Sequence, residues 1–213
     1  MLQKIQIKIA NELISRGYVV DALIFFDNGP LKSHLDDGVN RIYMKSRSVK
    51  YSLVGLMKYI ILKKPMIILS AEDHINVLII LAKILTRSSV KISVSCRVSP
   101  NLWAHKSDVK NRILRFLVAS LYSQASLRVM LSNEMADDYS KIFKLERDKL
   151  SIIHNPAYAT LNKKHNFESH PWLIKKNIPV IIGVGNLSTI KGFDILILAV
   201  FKVLAVREIR LLI

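Results

Sequence analysis

Pro179-Val-Ile-Ile-Gly-Val-Gly-Asn-Leu-Ser-Thr-Ile-Lys-Gly-Phe-Asp194 is the stretch on which the reading of the fold turns. A short apolar strand, Val180–Val184, runs into a glycine turn at Gly185, and Lys191 stands just before a new helix. Backbone N–H groups, a helix N-terminus and a cation are thereby brought together, which suits a phosphate group. The same layout also describes an ordinary strand–turn–helix corner with Lys191 as a solvated surface charge.

Beyond the corner, Phe193–Val206 reads as one helix and Ile209–Ile213 as one strand. Two strands and a helix bury too little to stand alone. This second unit is therefore expected to be incomplete, or to be completed by another chain. Upstream, strands and helices alternate. Helices are expected at Leu2–Arg16, Tyr51–Lys64, Asn76–Leu85, Ser107–Tyr122 and Asn133–Phe143. Strands are expected at Tyr18–Phe26, Val39–Met44, Met66–Ala71, Lys91–Ser95, Leu127–Leu131 and Leu150–His154. Asp27-Asn28-Gly29-Pro30 closes the first strand, and Ser107 is a candidate N-cap with Asp108 in the first turn. Continuous apolar strands alternating with helices predict an α/β fold with a parallel, doubly wound sheet. The chain opens on a helix where such a fold has a strand and its ligand-side turn, so that strand is expected to lie outside the sequence. The organisation read is a Rossmann-like domain over residues 1–154, a crossing segment over 155–178, and the start of a second domain over 179–213.

Charge is lopsided, with 32 Lys and Arg against 16 Asp and Glu, a net +16. No acid occurs between His74 and Ser107, none between Val109 and Asn133, and none among Lys45, Arg47, Lys50, Lys58, Lys63 and Lys64. Such stretches attract nucleotide phosphates, anionic lipid or nucleic acid; no nucleic-acid motif is recognisable, so that partner is not expected. The apolar share is 51%, enough for a core. No apolar run reaches the ~18–20 residues of a membrane span, and no secretory signal opens the chain. The single cysteine, Cys96, excludes an internal disulfide, and the histidines show no metal-ligand spacing. A cytoplasmic location follows as the expectation.

Four segments carry a resemblance. Leu150-Ser-Ile-Ile-His-Asn-Pro-Ala157 resembles the interdomain V-x-x-I-x-N-P-V segment of family 4 of the retaining glycosyltransferases. Ile182–Ile197 is similar to that family's G-R-L-x-x-x-K-G-F-D-x-L-I, Ile9–Val20 to its L-A-x-x-L-x-x-R-G-H-x-V, and Val129–Tyr139 to its V-x-x-S-x-x-x-A-x-x-L. They stand in family order over nearly the whole chain. The resemblance implies the GT-B architecture of two facing Rossmann-like domains. It also implies transfer of a sugar from a nucleotide-diphosphate donor to a glycan or lipid-linked acceptor, with retention, in surface polysaccharide assembly. It implies no metal or other cofactor. Gly185, Asn186, Lys191 and Gly192 then form the donor-diphosphate site. Position 186 is Asn where the family carries Arg, which removes one charge-assisted contact. The family's glycine-rich turn and its paired glutamates are expected to lie outside the sequence. The isolated chain is thus expected to be inactive, and a separate chain completing the donor domain is a candidate partner.

Glu72-Asp73-His74 and Cys96-Arg97 each follow a strand, where α/β sites collect. Asp73 and His74 read either as acceptor-side groups or as helix caps; Arg97 reads as an acceptor or anion contact, or as a surface guanidinium. Cys96 reads as a small buried residue rather than a nucleophile. Ser107–Tyr122 and Tyr51–Lys64 are basic and amphipathic. Each could lie on an anionic membrane as a peripheral element, or face a core with its lysines solvated.

Overall fold

In the computed structural model, residues 2–25, 34–44, 52–104, 108–155, 170–174 and 177–213 are described. The predicted turn at Asp27–Pro30, the charges Lys45, Arg47 and Lys50, the candidate cap Ser107, and 156–169 and 175–176 of the crossing segment lie outside them. The chain is α/β with parallel sheets, and it divides into two compact units, Met1–Tyr158 and Ala159–Ile213.

The first unit begins with α1 (Leu2–Ser15), β1 (Asp21–Ile24), β2 (Asn40–Tyr43), α2 (Ser52–Lys63) and β3 (Ile67–Ala71). It continues with α3 (Asp73–Thr86), β4 (Lys91–Ser95), α4 (Val109–Leu121), β5 (Leu127–Met130), α5 (Asn133–Phe143) and β6 (Ser151–Ile152). Among the described residues, its strands do not form the single sheet that the alternation predicts. β1 pairs with β2, and β3-β4-β5-β6 form a separate four-stranded sheet, every pairing parallel. Among the described residues, β3 is laddered only to β4, and its Ile67 and Leu69 are 55% and 53% exposed. Side-chain contacts tie the two sheets instead. Tyr59 of α2 donates to Asp21 of β1 at 3.0 Å, and Leu56 and Ile60 of the same helix join the core over the larger sheet. The order β3-β4-β5-β6 advances in one direction, so right-handed crossovers place α3, α4 and α5 on one face.

Local chemistry sets the element ends. Gly17, at φ 82°, closes α1, and its N–H bonds the Ile14 carbonyl. Ser132 caps α5 by accepting from the Met135 N–H at 3.2 Å. The cap of α4 is Asp108, whose carboxylate accepts from the Asn111 N–H at 2.8 Å, so the helix begins at Val109. α3 begins at Asp73, three residues before the apolar period suggests, because Glu72 turns the chain with φ 78°. β1 is shorter than its apolar run: Tyr18 and Val19 precede it at 59% and 89% exposure.

The core is β3–β5 sealed by helices. Ile68, Ile92, Val94 and Met130 pack against Ile79, Ile80, Val118 and Phe143. Burial of large aliphatic side chains contributes roughly 1.5–3 kcal/mol each.

In the second unit are α6 (Pro171–Ile174), β7 (Val180–Ile182), α7 (Phe193–Leu204) and β8 (Arg210–Leu212). β7 and β8 pair in parallel across α7, one right-handed strand–helix–strand unit. Its core is slight: Phe193, Val200 and Ile209 are buried, while Ile195, Leu198 and Phe201 on α7 are 69%, 63% and 74% exposed. Among the described residues, no helix is long and apolar enough to cross a membrane.

Candidate functional site

Two sets of residues have site character, one in each unit. In the second unit, the chain leaves β7 at Ile182 and crosses Gly183-Val184-Gly185-Asn186. It then makes a 3-10 turn over Thr189–Lys191 and enters α7 through Gly192. Gly192 has φ 64°, a left-handed conformation suited to glycine, and caps the helix while its N–H bonds the Thr189 carbonyl at 3.2 Å. Phe193 anchors the corner. A Cβ on Gly183 would stand 2.7 Å from the Phe193 ring, and one on Gly185 3.4 Å from it. Both glycines therefore let the backbone lie against that ring. Sequence reasoning gave Gly185 a place in the turn and the diphosphate site, and gave Gly183 no role. Gly183 was the residue missed, and its signal was the paired Gly-x-Gly before an aromatic residue.

A Cβ on Gly185 would also lie 3.8 Å from Lys191 Cδ, so the lysine stem runs alongside Gly185. Among the described residues, no carboxylate or hydrogen-bond acceptor engages the exposed Lys191 ammonium. The first N–H groups of α7 have no intrahelical acceptor and carry the positive end of the helix dipole. Asp194, in that first turn, offsets part of the dipole, which leaves Lys191 as the main cation. Asn186 is exposed, and its carbonyl accepts from the Ser188 N–H at 2.8 Å. Gly185, Asn186, Lys191 and Gly192 thus stand on one strand–helix corner.

In the first unit, the C-terminal ends of β3, β4 and β6 gather Glu72, Asp73, His74, Arg97 and Asn155. Glu72 holds a left-handed φ without being glycine, a strain of a kind that clusters at functional sites. His74 is half-exposed, and its Nε2 is 3.5 Å from Glu72 Oε2. Arg97 donates from Nη1 to Asn155 Oδ1, which joins the ends of β4 and β6. Its Nε–H is buried with no partner among the described residues. Burial pushes the guanidinium below its usual pKa. Arg97 is thus positioned by one amide and retains an unmet donor. Asn155 lies in the Asn-Pro segment, and sequence reasoning used it as a landmark without giving it a role.

Of the two readings of Asp73, the structure rules out the helix cap. It does not cap α3, and it is only 8% exposed. Its Oδ1 accepts from the Tyr122 hydroxyl at 2.5 Å, and the Tyr139 hydroxyl lies 2.9 and 2.8 Å from Oδ1 and Oδ2. Asn76, fully buried, donates to the Tyr122 oxygen at 3.0 Å and to the Ser95 carbonyl at 3.3 Å, and accepts from Ser70 at 2.7 Å. This network joins β3, α3, β4 and α5 behind the strand ends. Burial raises the Asp73 pKa; hydrogen bonds from Tyr122, Tyr139 and the Cys96 thiol oppose that rise. Burial likewise raises Tyr122 and Tyr139.

Cys96 is buried, and burial together with the Asp73 charge pushes its thiol up. A thiol so held is a poor nucleophile. We expect Cys96 to resist a maleimide in the native chain and to react promptly once unfolded; fast native labelling would contradict this packing.

Among the described residues, no group of three or more His, Cys, Asp or Glu could hold a metal ion. Compared with protein-family models and with curated proteins, the chain matches none.

Proposed function

We propose that this chain binds a nucleotide-diphosphate sugar through the β7–α7 corner and takes part in sugar transfer of the GT-B type. The acceptor would be a glycan or a lipid-linked saccharide. The observation that carries the reading is Lys191, unpaired among the described residues and laid alongside Gly185 at a helix start. The segment resemblances support it as well, three of them outside this corner. When the bond between the anomeric carbon and the diphosphate breaks, its electron pair leaves with the β-phosphate. In this reading the Lys191 ammonium and the first N–H groups of α7 stabilise that charge. Asn186 contributes a neutral hydrogen bond where a second cation would contribute more. Arg97 and His74, at the strand ends of the first unit, are the acceptor-side candidates. Asp73, the third acceptor-side candidate, is engaged by the Tyr122 and Tyr139 hydroxyls.

A second reading is a partner-binding subunit, favoured by the outer face of α7 with Phe201 74% exposed. The two differ in what the isolated chain does. Calorimetric titration with UDP, GDP, ADP and CDP tests the first: one of them binds, and binding by none removes it. Incubation with the matching sugar nucleotides tests the second. No release of nucleoside diphosphate is expected from the chain alone, and clear turnover would remove the need for a completing partner.

A further inference from the structure

We propose that the first unit carries a separate anion site, a cleft between the ends of α2 and α3 that takes a phosphate monoester on a compact apolar body. It lies at the N-terminal ends of β3 and β4, the opposite end of the sheet from Glu72 and Arg97. It is independent of the sugar-nucleotide reading.

Two connections build the cleft, 64–66 between α2 and β3 and 87–90 between α3 and β4. The Lys91 N–H bonds the Met66 carbonyl at 3.0 Å and ties them together. The cleft has a volume of about 360 Å³, at the low end of the roughly 300–1,000 Å³ of small-molecule sites. One side is apolar: Ile60 and Val90 are buried, and Ile61 and Pro65 border them. Lys64, Arg87, Ser88 and Ser89 form the polar side.

The polar side offers donors that nothing meets. The segments 38–71 and 74–107, which contain the two connections, hold no acid. Among the described residues, neither the Lys64 ammonium nor the Arg87 guanidinium makes an ion pair or a hydrogen bond. A cation beside a helix C-terminus can serve the last carbonyls, but here other donors hold them. The Lys64 N–H bonds the Ile60 carbonyl at 3.1 Å, and the Arg87 and Ser88 N–H groups bond those of Ile84 and Lys83 at 3.1 Å. The Thr86 hydroxyl donates to the Ala82 carbonyl at 2.7 Å. Ser88 Oγ accepts from the Val90 N–H at 3.2 Å, which leaves its own hydrogen to donate. The backbone gives a further sign. Lys64 and Arg87 hold φ of 45° and 50°, a region that glycine enters freely and other residues enter at a cost. A cation thus stands at both positions where glycine would close the helix better. Two cations match the charge of about −1.5 to −2 on a phosphate monoester at pH 7, rather than the single charge of a carboxylate. The adjoining Ile60, Ile61, Pro65 and Val90 suit an apolar body on the same molecule.

The test is calorimetric titration of phenyl phosphate into the full chain carrying Lys191→Ala, so that the β7–α7 corner does not contribute. Binding is expected. Adding Arg87→Gly or Lys64→Gly is expected to weaken it at least about tenfold, the loss of one charge-assisted contact. Inorganic phosphate and phenol, each one half of the probe, are expected to bind at least about tenfold more weakly than phenyl phosphate. Glycine suits both backbone conformations, so neither variant should unfold at a lower temperature than its parent. A variant that loses stability and keeps its ligand would mark Lys64 and Arg87 as helix caps alone and overturn the proposal. So would a parent that does not bind phenyl phosphate, or one that binds inorganic phosphate or phenol as tightly.

Discussion

Replacing Asp73 by alanine is expected to lower the stability of the chain by about 3 kcal/mol, since two buried phenol donors lose their acceptor and each unmet group costs roughly 1–3 kcal/mol. Tyr122 and Tyr139 are both buried, and both direct their hydroxyls to this one carboxylate. Tyr139 has a further acceptor, the Val98 carbonyl at 3.4 Å, which recovers little at that distance. Asp73→Asn keeps one acceptor oxygen and should cost about 1 kcal/mol. Urea unfolding measures both, and an Asp73→Ala change within about 0.5 kcal/mol of the wild type would contradict the network. The pH dependence has a definite sign. Burial raises the folded pKa of Asp73 above its ordinary 3.8. The folded state therefore holds this proton more tightly than the unfolded state. Its contribution is fullest below the ordinary value and is lost as pH rises through the raised one. The stability of the wild type relative to Asp73→Asn should fall as pH rises above that ordinary value, and a rise would contradict the assignment.

The elements with a single apolar stripe or a continuous apolar run were legible in the sequence. Lys91–Ser95 and Asn133–Phe143 stand where the pattern puts them. The rest depended on contacts between distant residues. Asp73 meets Tyr122 and Tyr139 across 49 and 66 residues, and Arg97 meets Asn155 across 58; local spacing carries no trace of such pairs. A buried acid after a strand has the same sequence appearance as a catalytic acid or a cap. α4 carries two apolar stripes, and a period of 3.6 cannot say which one meets the core. Its cap was ambiguous for a simpler reason: Ser107 and Asp108 are adjacent, and both side chains can accept from a helix N–H. The division of the strands into two sheets was equally hidden, because a strand's own residues do not say which parallel neighbour it pairs with.

The second large effect concerns Lys191. A hydrogen bond between an ammonium and a phosphate contributes about 1.5–3 kcal/mol, so Lys191→Ala should weaken nucleoside-diphosphate binding roughly 10- to 100-fold. The fold should be untouched, since the side chain is exposed and its stem only lies along Gly185. Lys202, in the last turn of α7, is the control: it adds the same charge to the helix at the end remote from the corner. The direct measurement is calorimetric titration of the same four nucleoside diphosphates into the wild type, Lys191→Ala and Lys202→Ala. The predicted result is binding of at least one by the wild type and by Lys202→Ala, with a tenfold or greater loss in Lys191→Ala. Equal affinity in all three proteins, or no binding to the wild type, would contradict the diphosphate site.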